Sequence, residues 1–225
     1  MEAEVKKVQT YFDKIAWEFD TIYNGRKSFV LRILDKIFRW DMYKRFELTL
    51  AECRKVKEKS ILDIGCGPGR FCFPLANRGA SRVLGMDFAQ NMIDLAAKLS
   101  QEQDIHGTCE FCCADFLSFP FAEKFDYILA IGLFDYLKEP QGYLRKINSL
   151  TREKFVATFP TRWTYRRFVR KIRLGLKNCP VYFFSKSQIQ KLYRDVGFSG
   201  VSVKRIGKIY FVVARVAGNS REHSP

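Results

Sequence analysis

The stretch Ser60-Ile61-Leu62-Asp63-Ile64-Gly65-Cys66-Gly67-Pro68-Gly69-Arg70 constrains the fold of this chain more than any other. Ile61, Leu62 and Ile64 predict a short buried strand. Gly65, Gly67 and Gly69 predict a turn almost without side chains, and Phe71, Phe73, Leu75 and Ala76 predict an apolar helix after it. Glycine permits positive φ and lets a ligand approach the backbone closely. A strand, a glycine turn and a helix N-terminus in this order are expected to set free N–H groups against a polar ligand. About 20 residues further on, in the position where a doubly wound fold reads a ribose hydroxyl pair, the apolar run Val83-Leu84-Gly85-Met86 ends in Asp87. The ligand predicted is therefore a nucleoside-containing cofactor.

The dinucleotide fingerprint Gly-x-Gly-x-x-Gly does not fit, because the glycines fall at Gly65, Gly67 and Gly69 with Asp63 ahead of them. The string Asp-x-Gly-x-Gly-x-Gly resembles motif I of the class I S-adenosylmethionine-dependent methyltransferases. S-adenosyl-L-methionine carries an ammonium and a carboxylate where a dinucleotide carries phosphates, so a carboxylate before the turn suits one end and turn N–H groups suit the other. Later features resemble the same family in order. Asp87-Phe88 implies a ribose acceptor and an adenine-facing ring, and Met92 an apolar contact to adenine. Ala114-Asp115-Phe116 resembles the segment whose acid receives the adenine amino group. Phe125-Asp126-Tyr127-Ile128-Leu129-Ala130-Ile131 resembles the fourth strand, whose end at Ile131 borders the transferred methyl. The resemblance covers residues 58–160 well and the flanks loosely; Cys66, inside the turn, is given a packing role.

Length and composition bound the rest. A chain of 225 residues, 47% of them hydrophobic, is expected to form one domain with a sizeable core. No run reaches the roughly 18 apolar residues of a membrane-spanning helix, and the charged opening Met1-Glu2-Ala3-Glu4-Val5-Lys6-Lys7 does not read as a signal peptide. Seven irregularly spaced cysteines fit a reducing cytoplasm. Cys109, Cys112 and Cys113 lack a fourth zinc ligand, so no metal site is expected. The net charge of +15, from 39 Lys and Arg against 24 Asp and Glu, favours an anionic partner: an acidic small molecule, nucleic acid or an acidic lipid surface.

From Ser60 to Thr158 strand and helix signals alternate, with strands predicted over 60–64, 82–87, 109–113, 125–131 and 154–158 and helices over 70–78, 90–101 and 140–149. Such alternation predicts a parallel sheet with helices on both faces and a ligand at the carboxyl ends of the strands. Together with the resemblance this gives an α/β, Rossmann-like fold: a seven-stranded, mostly parallel sheet, an antiparallel hairpin closing it at the C-terminus and a helical cap at the N-terminus. One domain is expected over 1–217: the cap over 1–57, the cofactor-binding core over 58–160, a basic insert over 161–184, and the closing helix and hairpin over 185–217. Residues 218–225 read as a disordered tail.

The cap opens on a helical pattern over 5–23. Tyr11-Phe12-Asp13-Lys14-Ile15-Ala16-Trp17-Glu18-Phe19-Asp20 within it is similar to the opening of the ubiquinone-type and magnesium-protoporphyrin-type methyltransferases. That likeness implies a cap over the pocket, with Tyr11 on the substrate side; a helix that only covers the sheet is the alternative. A second apolar stripe, Phe29, Val30, Ile33, Leu34, Ile37 and Phe38, with Arg26, Lys27, Arg32, Lys36 and Arg39 mostly off it, suits either a membrane surface or a solvated face. A third helix is predicted over 42–54. In the closing segment Ser185 and Gln188 predict a capping box, and Val201–Val203 and Ile209–Val213 alternate as a hairpin.

Methyl transfer from a sulfonium is an in-line displacement that alignment and desolvation accelerate, and it needs a base only when the acceptor holds a high-pKa proton. His106 and His223 are poorly placed for that role, leaving Asp135 and Tyr136, just past the fourth strand, as the catalytic candidates. No Asp or Glu lies between Glu153 and Asp195, while seven cations (Arg162, Arg166, Arg167, Arg170, Lys171, Arg173 and Lys177) crowd one short insert. Guanidinium groups bind carboxylate or phosphate at two points. O-methylation of an acidic or amphiphilic small molecule held by Arg166, Arg167 or Arg170 is therefore expected. The alternatives are an RNA methyltransferase using the insert as a phosphate stripe, which the string Ile131-Gly132-Leu133-Phe134 disfavours, and a non-catalytic, membrane-peripheral cofactor-binding module.

Overall fold

A computed structural model of the chain describes residues 6–10, 40–105, 107–162 and 180–216. Residues 6–10 are helical. There follow α1 (Trp40–Glu52), β1 (Ser60–Ile64), α2 (Cys72–Ala76), β2 (Arg82–Asp87), α3 (Gln90–Glu102), β3 (Cys109–Cys113), β4 (Phe125–Ala130), a 3-10 turn (Leu133–Asp135), α4 (Gln141–Leu150), β5 (Thr151–Pro160), α5 (Lys186–Asp195), β6 (Phe198–Ile206) and β7 (Ile209–Val216). The seven strands form one sheet in the order β3-β2-β1-β4-β5-β7-β6. β1 to β5 run parallel, and β7 lies antiparallel between β5 and β6. The chain order reverses between β1 and β4, so the carboxyl ends of these strands border the crevice where this architecture takes a ligand.

Side-chain alternation divides the core between the two faces of the sheet. Ile61, Val83, Leu129 and Val156 pack with Leu50, Cys53, Leu75 and Ile93 from α1, α2 and α3 and their flanks. Leu62, Leu84, Ile128 and Phe155 pack with Leu144, Ile147, Ile189 and Tyr193 from α4 and α5. β2 carries one glycine, and the packing requires it: a Cβ on Gly85 would stand 2.7 Å from the Phe111 ring and 3.0 Å from Cys66 Sγ.

Several elements differ in extent from the sequence expectation. β5 runs from Thr151 to Pro160 rather than over 154–158, because β7 pairs with it from Lys154 to Pro160 and its first residue pairs with Phe125 across a register shift. The helix predicted over 70–78 contracts to Cys72–Ala76, since Gly79, at φ 84, ends it and Arg70 and Phe71 belong to the preceding turn. Pro74 falls in its first turn, where the missing N–H costs nothing. The predicted capping box is present: Ser185 accepts from the Gln188 N–H, and the Gln188 side chain returns to the Ser185 N–H. The stripe over 29–38, His106, the centre of the basic insert and the tail with His223 lie outside the described residues.

Candidate functional site

The turn after β1 is built around positive φ, with Gly65 at 71°, Gly67 at 53° and Gly69 at 82°. Gly69 is further constrained by the Phe73 ring, 2.6 Å from where a Cβ would stand. The N–H groups of this turn are not free, which corrects the expectation that they await the ligand. Gly65 and Cys66 donate to Met86 O at 2.8 and 3.1 Å, Gly69 donates to Cys66 O at 3.2 Å, and Gly67 donates to Asp87 Oδ2 at 2.9 Å. The cause is the register: Ile64 lies beside Met86, so the turn leaves β1 directly against the end of β2. Asp87 also accepts from Ala89 N–H at 3.0 Å, and these two backbone donors fix its carboxylate at the start of α3.

Asp63 faces away from Ile64, into the α1–α3 side of the sheet, and is 1% exposed. The Cys72 thiol donates to its Oδ2 at 3.6 Å. Burial pushes the Asp63 carboxyl up to about 7; the Cys72 hydrogen bond opposes the rise and the charge of Asp87 adds to it. Burial likewise pushes the Cys66 thiol up to about 11, which leaves it a packing group rather than a nucleophile.

A cleft enclosing about 560 Å³ of atom-free space, its open mouth included, lies at the strand ends, lined by Val8, Ile64, Gly65, Met86, Asp87, Phe88, Ala114, Asp115, Phe116, Leu133, Tyr136, Leu137 and Tyr143. It thus brings together Gly65, Asp87, Phe88, Ala114, Asp115, Phe116 and Tyr136 of the residues expected at the site. Asp63, Cys66, Gly67, Gly69, Met92, Ile131 and Asp135 do not line it. Met92 and Ile131 are buried in the core, and Asp135 is buried as the last residue of the 3-10 turn, where its carbonyl accepts from Tyr182 N–H at 2.8 Å. Tyr11, Arg166, Arg167 and Arg170 lie outside the described residues.

Val8 is packed by Phe88, Tyr136 and Val181, and Gln9 donates to Phe88 O at 2.8 Å, so the helical residues 6–10 close one side of the cleft. Phe116 stacks on Tyr143 with centroids 5.5 Å apart. Burial, then the Asp115 charge, pushes the Tyr143 phenol up to about 12, so it stays protonated at neutral pH. Lys146, one helical turn on, donates to Leu117 O at 2.8 Å and Phe119 O at 2.6 Å. Arg45 of α1 reaches the end of β4: a Cβ on Gly132 would stand 3.4 Å from its Nη1. Sequence reasoning missed Tyr143, Lys146, Arg45, Leu133 and Leu137. Each lies on a helix or turn with no motif of its own, and Val8 was legible only as one apolar position in a helical pattern.

Strand order, glycine turn, Asp87 and a cleft at the switch point define a Rossmann-like domain for a nucleoside-bearing cofactor. The family described as "Methyltransferase domain" matches residues 55–197. The magnesium-protoporphyrin O-methyltransferase of Rhodobacter capsulatus is 26% identical over 227 residues, covering 93% of this chain and 94% of that protein. A ubiquinone biosynthesis O-methyltransferase of Coxiella burnetii is 30% identical over 98 residues, 43% of this chain and 41% of that protein. The cycloartenol-C-24-methyltransferase 1 of Oryza sativa is 28% identical over 69% of this chain; the match spans only 48% of that longer relative. In fold, the chain resembles the magnesium protoporphyrin IX methyltransferase of Synechocystis PCC 6803, with a TM-score of 0.71 at 22% identity over 93% of this chain and 98% of that one. The chain belongs to the methyltransferase-domain family and is an S-adenosylmethionine-dependent methyltransferase.

Proposed function

We propose that this methyltransferase O-methylates an acidic, amphiphilic small molecule at an oxygen that is already ionised, most simply a carboxylate. The observation that carries the reading is the lining of the cleft: apart from Asp87 and Asp115 its side chains are apolar or aromatic, Val8, Leu133, Leu137 and Tyr136 among them, and no imidazole or further carboxylate lines it among the described residues. An apolar wall of this kind suits the body of an amphiphile and excludes water. It offers no base for a high-pKa proton, and an ionised oxygen needs none.

The site residues take their roles from this geometry. Asp87, held by two backbone donors, is the proposed acceptor for the ribose hydroxyls, and Asp115, exposed beside Phe116, for the adenine amino group. Arg45, beside Gly132, is the cation proposed to face the cofactor carboxylate now that the turn N–H groups are taken. Asp63, beneath the turn, supplies negative charge toward the ammonium end. When bound, the cofactor would supply an electrophilic methyl group, and an acceptor oxygen that is already ionised would need no proton removed by these residues. Tyr136 orients the acceptor, and Asp135 supports the turn that carries Tyr136.

Arg166, Arg167 and Arg170 are proposed to hold the acidic group. Support for them is their place in a cation-rich segment and the position of its described ends: Arg162 follows the last residues of β5, and Val181 packs against the cleft residue Val8. Labelled methyl transfer from S-adenosylmethionine into an organic-extractable acid tests the proposal. Arg166→Ala with Arg167→Ala should raise acceptor KM and leave cofactor affinity unchanged. Label appearing only in RNA, or binding to anionic liposomes with no turnover of any extractable acid, would refute it.

A further inference from the structure

The loop between β3 and β4 bears three cleft residues, Ala114, Asp115 and Phe116, yet has no helix or strand of its own over 114–124. Its internal bonds only close a turn: Leu117 N–H donates to Asp115 Oδ1 at 3.2 Å and Phe119 N–H to Asp115 O at 3.0 Å. Its first residue is tied to β2, with Ala114 N–H donating to Asp87 O at 3.0 Å. The tie further along comes from a side chain of α4 that lies 29 residues after Leu117 and 27 after Phe119.

Lys146 makes it. Its ammonium donates to the carbonyls of Leu117, at 2.8 Å, and Phe119, at 2.6 Å. The same ammonium lies 5.4 Å from the Phe116 ring centroid and 5.2 Å from that of Phe121. A single cation thus satisfies two loop carbonyls and sits against two loop aromatics. Tyr143, three residues earlier on the same helix face, also stacks on Phe116. Lys146 does not line the cleft, so it reaches a ligand only through the loop.

We infer that Lys146 is a positioning residue: it holds the 114–119 turn in the one shape that presents Asp115 and Phe116 to adenine, and so sets the cofactor's base specificity. This rests on the reading of Ala114–Phe116 as the adenine end of the site. A lysine is suited to the task because a neutral side chain of equal length offers neither the two donors nor the charge between the rings.

The test compares S-adenosylhomocysteine with S-inosylhomocysteine, which carries a carbonyl in place of the adenine amino group, by calorimetry on the full chain. Lys146→Met keeps the apolar stem and removes the ammonium. It should weaken S-adenosylhomocysteine by about tenfold, the scale of a lost charge-assisted hydrogen bond, and narrow the preference for it over the inosine compound. Lys146→Arg, which can also donate to two carbonyls, should stay within about threefold of the parent chain and keep the preference. Lys146→Leu, which likewise has no donor, carries the same comparison if the methionine variant does not fold. Unchanged affinity in the neutral variant, loss of both ligands by one common factor, or failure of arginine to restore the preference would overturn the inference. A parent chain that takes up neither compound would instead overturn the cofactor site itself.

Discussion

Asp63→Asn tests whether the fold tolerates a costly carboxyl for the sake of its ligand. Asp63 titrates from 3.8 when unfolded to about 7 when buried beneath the glycine turn. Folding therefore holds its proton more tightly than the open chain does. The stability attached to that proton is complete below pH 3.8 and is lost as pH rises through about 7. Two protonation curves with these midpoints separate by about 2–3 kcal/mol between pH 5 and pH 8, an upper scale for one group. Asn keeps an acceptor for the Cys72 thiol and has nothing to ionise. Denaturant unfolding of both chains at the two pH values isolates the effect, because all other titrating groups cancel in the difference. The asparagine chain should gain on the parent as pH rises, about half of the gain falling between pH 5 and pH 6 and about half between pH 6 and pH 8. At pH 8 it should also bind S-adenosylhomocysteine about tenfold more weakly, the scale of one screened charge interaction at an effective dielectric of 20. A stability difference that is the same at pH 5 and pH 8 would refute the buried-carboxyl account.

Asp87→Ala should cost at least about tenfold in S-adenosylhomocysteine affinity by calorimetry, because it removes the proposed ribose acceptor and leaves the Gly67 and Ala89 N–H groups without theirs. Gly85→Ala drives a methyl to 2.7 Å from Phe111 and should destabilise by about 1–3 kcal/mol in thermal unfolding; adding Phe111→Leu should recover part of the loss. Ser185→Ala breaks the capping box of α5 and should cost about 1 kcal/mol while leaving cofactor affinity untouched, since α5 contributes no cleft residue.

Much of this protein is legible in its residues taken in order. Strands β1, β2 and β3 begin and end where their apolar runs do, at Ser60–Ile64, Arg82–Asp87 and Cys109–Cys113. β1 and β2 are buried almost throughout, whereas β3, at the sheet edge, buries only Cys109. The glycine turn, Asp87 at a strand end and the Ser185 cap are local too: their chemistry depends on neighbours a few positions away, and spacing alone reports it.

What spacing cannot report is the direction a group faces once distant segments meet. Asp63 and Ile64 are adjacent in the chain, yet one points into a closed core and the other into the cleft, and burial then moves the carboxyl up to about 7. The N–H groups after β1 look available in sequence; only the pairing of Ile64 with Met86 brings up the carbonyl that takes two of them. Asp135 and Tyr136 are equal candidates on paper, and packing turns only Tyr136 toward the cleft. Arg45, Tyr143 and Lys146 carry no motif, because they reach the site across the chain from helices placed by hydrophobic packing. Local sequence therefore determined the elements and the cofactor class, and close packing of remote helices against the sheet determined which side chains face the ligand.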